Sequence, residues 1–200
     1  VLKAQRRFDD AETYYKKALK AAGDDDNALL HSNYGWFLES VRSDVDGAER
    51  QYKKAIAIDE RFAQALFNYA RLADLARRDY DTAKSYYERT VAVQPKHSNA
   101  HLGLAFIFAR HLAQPDDAEK HFAAAVDADR TNAVASFNYG AFLDTVRKDA
   151  AAALPHYFAA TIVQPNNAVF TKAYLACQKK VEADGGGDDG SGDGGNGSDA

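Results

Sequence analysis

The sequence predicts an all-α protein, an α-solenoid of about ten helices arranged as antiparallel pairs. Three observations predict it: residue columns that return every 35 positions, apolar spacing of three and four within each copy, and turn signals between the helical stretches. Ala48, Ala83, Ala118 and Ala153 form the first column. Tyr52, Tyr87, Phe122 and Tyr157 follow four residues later, and Ala55, Thr90, Ala125 and Ala160 three beyond those. Upstream stand Gly35, Ala70, Ala105 and Gly140. Four columns sharing one period across four copies fix the register. The small columns are expected where paired helices approach closely, with the aromatic column filling the space between neighbouring units.

Each copy divides into two helices. In the fourth, Phe137, Tyr139, Gly140, Phe142, Leu143 and Val146 give an apolar surface wider than one stripe, as a helix covered on two sides requires. In the second, Tyr80, Ala83, Tyr87, Thr90 and Val91 share one helical face. Asp44, Asp79 and Asp149 stand as N-caps of the second helices, and in the third copy Gln114 precedes Pro115 at a first helical position. Pro95 and Pro165 follow helix ends. Pro155 conflicts with the pattern: it falls inside a second helix, deletes a backbone hydrogen bond, and predicts a kinked or delayed helix with 150–153 as a turn before it.

The repeats occupy 27–61, 62–96, 97–131 and 132–166. Residues 1–26 read as an orphan second helix, with Phe8, Ala11, Tyr15 and Ala18 in register and 23–26 absorbing an offset of two residues. Residues 167–183 read as a polar-ended capping helix bearing Lys172, Lys179 and Lys180. Residues 184–200, with eight glycines and five acids, are expected to be disordered, because no large apolar group offsets the ordering entropy.

Those five acids carry the charge imbalance. Removing them from the total of 29 leaves 24 acids against 25 bases, so the body is neutral and direct nucleic-acid binding is not expected. The one cysteine, Cys177, excludes a disulfide framework, suits a reducing compartment such as cytoplasm or nucleus, and reads as a buried small hydrophobe. No apolar run is long enough to span a membrane, the longest at 102–109 being broken by Gly103, and no membrane partner is expected. Methionine is absent even at residue 1, as expected of a fragment or processed chain, hence the possible subunit of a larger assembly.

These columns resemble the tetratricopeptide repeat. The fourth copy carries the resemblance through Tyr139, Gly140, Leu143, Ala153, Tyr157, Ala160 and Pro165, the first through Asn33, Gly35, Leu38, Ala48, Tyr52 and Ala55. His31, Leu66, His101 and Ser136 fill the slot where the family places tryptophan, and each copy has one extra residue between its helices. The resemblance implies a right-handed superhelix and a protein or peptide partner held on a concave face made by the first helices. A half-a-tetratricopeptide repeat, tied to RNA processing, is the weaker resemblance, carried by 68–70 and 87–89.

No phosphate loop, nucleophile elbow or metalloprotease pattern appears, and the chain reads as a non-enzymatic scaffold without cofactor or metal. His121 and His156 are one period apart and are candidates to face each other, while His31 and His101 are expected to replace the family's tryptophan in packing. In the family's register the ligand-facing positions are Ser32, Phe67, Leu102 and Phe137, then Trp36, Arg71, Phe106 and Ala141, with Glu39, Asp74, Ala109 and Asp144 a turn further and Ser40, Leu75, Arg110 and Thr145 beside them. Ser32, Phe67, Leu102 and Phe137 stand where chaperone-binding members carry a carboxylate-clamp lysine, so that clamp is missing. The partner-binding candidates are Trp36, Phe67, Arg71, Leu102, Phe106, Arg110 and Phe137. Two readings stay open: these aromatics line a groove, or the extra residue rotates them into the core. Beyond a scaffold, the alternatives are a structural subunit of an RNA-processing complex and the binding arm of a larger enzyme.

Overall fold

The computed structural model describes residues 2–22 and 27–185. Among them ten α-helices and no strand occur: α1 (Leu2–Ala22), α2 (Ala28–Arg42), α3 (Val45–Ile58), α4 (Ala63–Leu72), α5 (Tyr80–Val93), α6 (Ser98–Arg110), α7 (Pro115–Ala128), α8 (Ala133–Phe142), α9 (Ala150–Val163) and α10 (Ala168–Gly185). The chain divides into two compact units, Val1–Arg130 with α1–α7 and Thr131–Ala200 with α8–α10. In the first unit α2 packs on α3, α4 on α5 and α6 on α7, and each pair rests on the next through α3 with α4 and α5 with α6. In the second, α9 packs between α8 and α10.

The repeat columns are the seam of these pairs. Ala48, Ala83, Ala118 and Ala153 are fully buried, and Tyr52, Tyr87, Phe122 and Tyr157 are at most 4% exposed. Gly35 and Gly140 stand where α2 meets α3 and α8 meets α9. A methyl at Gly35 would lie 2.8 Å from the Tyr52 ring and 3.2 Å from the Ala48 carbonyl oxygen, and one at Gly140 would lie 3.1 Å from the Tyr157 ring. Ala70 and Ala105 accommodate their methyls at the same register with no exposure. Within the helix pairs of the first and fourth copies a side chain at this register would crowd the aromatic ring.

The helix starts follow the sequence signals. Asp44, Asp79 and Asp149 accept hydrogen bonds from the N–H groups of Gly47, Thr82 and Ala152. Gln114 makes no side-chain cap, and Pro115 opens α7 instead. Around Pro155 the structure differs from expectation. Residues 150–153 form the first turn of α9 rather than a preceding turn, and the helix runs through Pro155 for 14 residues, the length of α3, α5 and α7. The Ala153 N–H already donates to the Asp149 carbonyl, so Pro155, two residues on, forgoes one intrahelical bond without ending the helix.

The extra residue of each copy is absorbed at the end of the first helix. α4 and α8 continue into single π-turns, Ala73–Arg77 and Leu143–Arg147. Ser43, Arg78, Ala113 and Lys148, again 35 apart, adopt left-handed backbone with φ of 50–60°. The next N–H in each case donates to a carbonyl six residues back: Asp44 to Leu38, Asp79 to Ala73, Gln114 to Phe108 and Asp149 to Leu143. This wide closure satisfies carbonyls that the helix end leaves open. None of the four left-handed residues is glycine, so the turn is invisible to composition.

α1 also differs in detail. It packs on α2 through Ala11, Tyr15 and Leu19, with Tyr15 stacked on Tyr34 at 5.2 Å, whereas Phe8 and Ala18 are exposed. Asp184 and Gly185, expected in the tail, belong to α10, and the linker 23–26 and tail residues 186–200 lie outside the described residues.

Candidate functional site

The first helices α2, α4 and α6 of the first unit carry Trp36, Phe67, Arg71, Leu102, Phe106 and Arg110, the residues of the predicted face. Trp36 is 52% exposed and Leu75 67%, one on α2 and one on the π-turn after α4. Phe67 is half-buried, with its ring 4.6 Å from His97 and 5.9 Å from Tyr87. Phe106 is half-buried edge-on to Phe122 at 5.6 Å, and the Arg110 guanidinium lies over its outer face at 4.4 Å. Arg71 donates to Glu39 at 2.8 Å. Leu102 is only 8% exposed and contributes to the core rather than to the surface. Ser32 is fully buried and accepts from Asn68. In the second unit, Phe137 stacks on Phe170 at 4.7 Å and tilts against Tyr157 at 5.6 Å, so most of its ring is committed to packing α8.

A set of contacts that the column reading missed organises this face. The Tyr52 hydroxyl donates to Glu39 at 2.9 Å and the Tyr87 hydroxyl to Asp74 at 3.4 Å, both across 13 residues. Tyr157 stands in the same relation to Asp144, and burial together with that carboxylate pushes its hydroxyl up to about 12. Burial, and then the neighbouring acid, raises Tyr52 and Tyr87 as well. In the third copy the aromatic is Phe122, and 13 residues before it stands Ala109. Hydroxyl and carboxylate are lost together, which leaves no buried donor unsatisfied. The 13-residue offset was the available signal.

The acids are then used differently. Glu39 is paired with Arg71, and Asp144 accepts from Lys180 at 2.8 Å. Among the described residues Asp74 has no such ion pair. Burial raises its carboxyl from the ordinary value, offset in part by Tyr87, His111 and Arg110. In the first unit acid and base thus alternate from Glu39 on α2 and Arg71 on α4 to Asp74 in the following π-turn and Arg110 on α6.

This pairing predicts a double-mutant result. Phe122→Tyr alone buries a hydroxyl with no acceptor and should cost about 1–3 kcal/mol. Adding Ala109→Asp should recover about 1 kcal/mol of that, a non-additivity read from urea midpoints of the four proteins. Strict additivity would show that the tyrosine–acid pairs are independent residues.

The histidines are distributed through packing. His31 is 1% exposed and its Nδ1 lies 2.7 Å from the Gln51 carboxamide oxygen. His101 Nδ1 lies 3.1 Å from His121 Nδ1. The ring neighbours of His121 are His101 and Phe108, and His156 has Tyr139 at 4.3 Å. Cys177 is fully buried, its thiol donates to the Ala150 carbonyl, and burial raises its pKa, so the thiolate is disfavoured. Among the described residues no three histidine, cysteine or acidic side chains converge on a metal position, and no helix is long and apolar enough to cross a membrane.

His97 caps α6, its Nδ1 accepting from the Ala100 N–H, and burial against Phe67 lowers its pKa. Because the folded value lies below the unfolded value of about 6.5, the unfolded chain takes up the proton first. Stability from this residue is thus complete above pH ~6.5 and lost as pH falls through the folded value. Between pH 7 and 5.5 the urea midpoint should fall more for the wild type than for His97→Asn, which keeps a cap acceptor without titrating. Equal falls would remove His97 from the account.

The sequence profile described as tetratricopeptide repeat matches residues 1–60 and 72–133. No curated protein sequence matches the chain. Among solved structures, the chain is similar to PilF of Pseudomonas aeruginosa, at 18% identity and TM-score 0.76, covering 91% of this chain and 80% of that one. It is also similar to YrrB, a tetratricopeptide protein with an unusual peptide-binding site, at 21% identity and TM-score 0.65, covering 84% of each. A thermophilic repeat protein of Thermus thermophilus matches at 19% identity and TM-score 0.65, covering 89% of this chain and 94% of that one. The profile covers more than half of the sequence and the helix pairs repeat as it requires, so the chain belongs to the tetratricopeptide repeat family, whose fold is a scaffold for protein–protein interaction.

Proposed function

We propose that the face formed by α2, α4 and α6 captures a peptide segment of a protein partner, without turnover. Trp36 is the observation that carries this reading: it is the one tryptophan of the chain, it is half exposed, and it lies on the face where the family register puts ligand contacts. Tryptophan and arginine dominate the binding energy of interfaces, and Arg110 stands on Phe106 with no ion pair among the described residues to satisfy its guanidinium. Phe67 and Phe106 offer partly exposed ring surface for apolar side chains, while Arg71 and Arg110 donate to the carbonyl or carboxylate groups of an acidic, apolar segment. Leu102 supports the packing beneath, and Phe137 belongs to the packing of the second unit. YrrB, with the same fold and a peptide-binding site, adds to this reading.

The test is selection of a displayed random-peptide library on the wild-type protein. Retained peptides should bind Trp36→Ala and Arg110→Ala at least about tenfold more weakly, a loss of about 1.4 kcal/mol or more. Both variants should keep wild-type helicity, because neither side chain is buried. Undiminished binding to both would refute the assignment, as would a library that yields no specific peptide.

A further inference from the structure

His101 and His121 hold a geometry that their counterparts elsewhere in the chain do not. The two positions are 20 residues apart, one on α6 and one on α7. The same offset in the first copy pairs His31 with Gln51, where the imidazole meets a carboxamide oxygen at 2.7 Å in an ordinary hydrogen bond. In the third copy both partners are imidazoles, with Nδ1 facing Nδ1 at 3.1 Å. The Nε2 of His101 lies 3.0 Å from the Pro95 carbonyl oxygen. A carbonyl only accepts, so Nε2 carries the proton and the Nδ1 lone pair points at His121. A ring N–H held by a backbone carbonyl is the arrangement that orients metal-ligating histidines. Phe108 stacks on the His121 ring at 5.3 Å and restrains its plane.

We propose that His101 and His121 form a two-imidazole site for a divalent transition cation such as Zn²⁺, Co²⁺ or Ni²⁺. Two Zn–N bonds of about 2.0–2.1 Å at a tetrahedral angle separate the nitrogens by about 3.3 Å, a few tenths beyond the distance present. The ion takes the place of the proton between the rings. His121 then carries its proton on Nε2, both imidazoles remain neutral, and no net proton is released. No third protein ligand converges among the described residues, so water completes the shell. Glu88 and Asp117, which act on the charge of His121, favour a cation there, whereas Lys120 and the Lys84 ammonium, paired with Glu88 at 2.7 Å, oppose it. This site is independent of the peptide-binding face, since neither histidine belongs to it.

Zinc chloride titration of the full chain tests the proposal. Calorimetry should detect one site in the wild type, and His121→Gln should weaken it by about a hundredfold or more, the upper range for loss of a mere supporting residue. His121→Gln recreates the His31–Gln51 pair, so it should keep the metal-free melting temperature. His156→Gln should bind as the wild type does. In ¹⁵N spectra of the wild type, zinc should move the Nδ1 signals of His101 and His121 together, a readout that stands even if a variant fails to fold. Absence of binding, equal binding by His121→Gln, or shifts confined to other histidines would overturn the assignment.

Discussion

Tyr52→Ala should destabilise the protein by about 3–5 kcal/mol, the range for deleting a fully buried aromatic. Tyr52 has no exposed surface, its ring presses against Gly35, and its hydroxyl donates to Glu39. Alanine removes the ring from the seam between α2 and α3 and leaves a cavity that two helices fixed by their neighbours cannot close. The hydroxyl alone matters less, because Glu39 keeps Arg71 as a partner. Tyr52→Phe should therefore cost about 1 kcal/mol, so the pair of variants separates packing from hydrogen bonding. Urea midpoints give both values. A cost for Tyr52→Ala no larger than that of Tyr52→Phe would show that the aromatic column is not the seam.

The second large effect belongs to Gly103→Val, at about 3 kcal/mol of destabilisation through overpacking. A methyl at Gly103 would fall 2.5 Å from Tyr87 Cζ and 2.6 Å from Cε2, both in a ring that is 3% exposed and tethered through its hydroxyl to Asp74. Replacing a helix-interior glycine gains about 1 kcal/mol at most, and less with β-branched valine, which is smaller than the clash. Because the obstacle is one ring, Tyr87→Ala should make Gly103→Val nearly harmless when the two are combined. A fully additive double variant would mean that α5 and α6 do not meet at this point.

Gly103 also shows where sequence reading stopped. The columns at Ala48, Tyr52 and Gly35 were legible because packing within a helix pair repeats with the chain. Gly103 serves the contact between successive pairs, occurs once, and read only as an interruption in an apolar run. The left-handed turns at Ser43, Arg78, Ala113 and Lys148 repeat faithfully, yet the side chains give no sign of them, since the wide hydrogen-bonded closure imposes the backbone. The tyrosine–acid pairs were readable from the joint change to Phe122 and Ala109, a signal that requires comparing two columns rather than scanning one.

The candidate face divides in the same way. Register names Trp36 and Arg71 as candidates and leaves open whether the aromatics are core or exposed; the structure leaves Trp36 half exposed and pairs Arg71 with Glu39. Register puts Phe67, Leu102 and Phe106 on the first helices α4 and α6 and Phe137 at the corresponding place in α8, but how much of each remains exposed depends on rings contributed by other helices: His97 and Tyr87 for Phe67, Phe122 for Phe106, Phe170 for Phe137. The approach of His101 to His121 follows a 20-residue offset across a single pair, a spacing that the 35-residue period does not mark.

Hydrogen–deuterium exchange of the full chain, with and without a library-selected peptide, addresses recognition most directly. Added protection should concentrate in α2, α4 and α6, at the turns carrying Trp36, Arg71 and Phe106, while α3, α5 and α7 exchange as before. Protection confined to those second helices, with the first helices unaffected, would contradict the account.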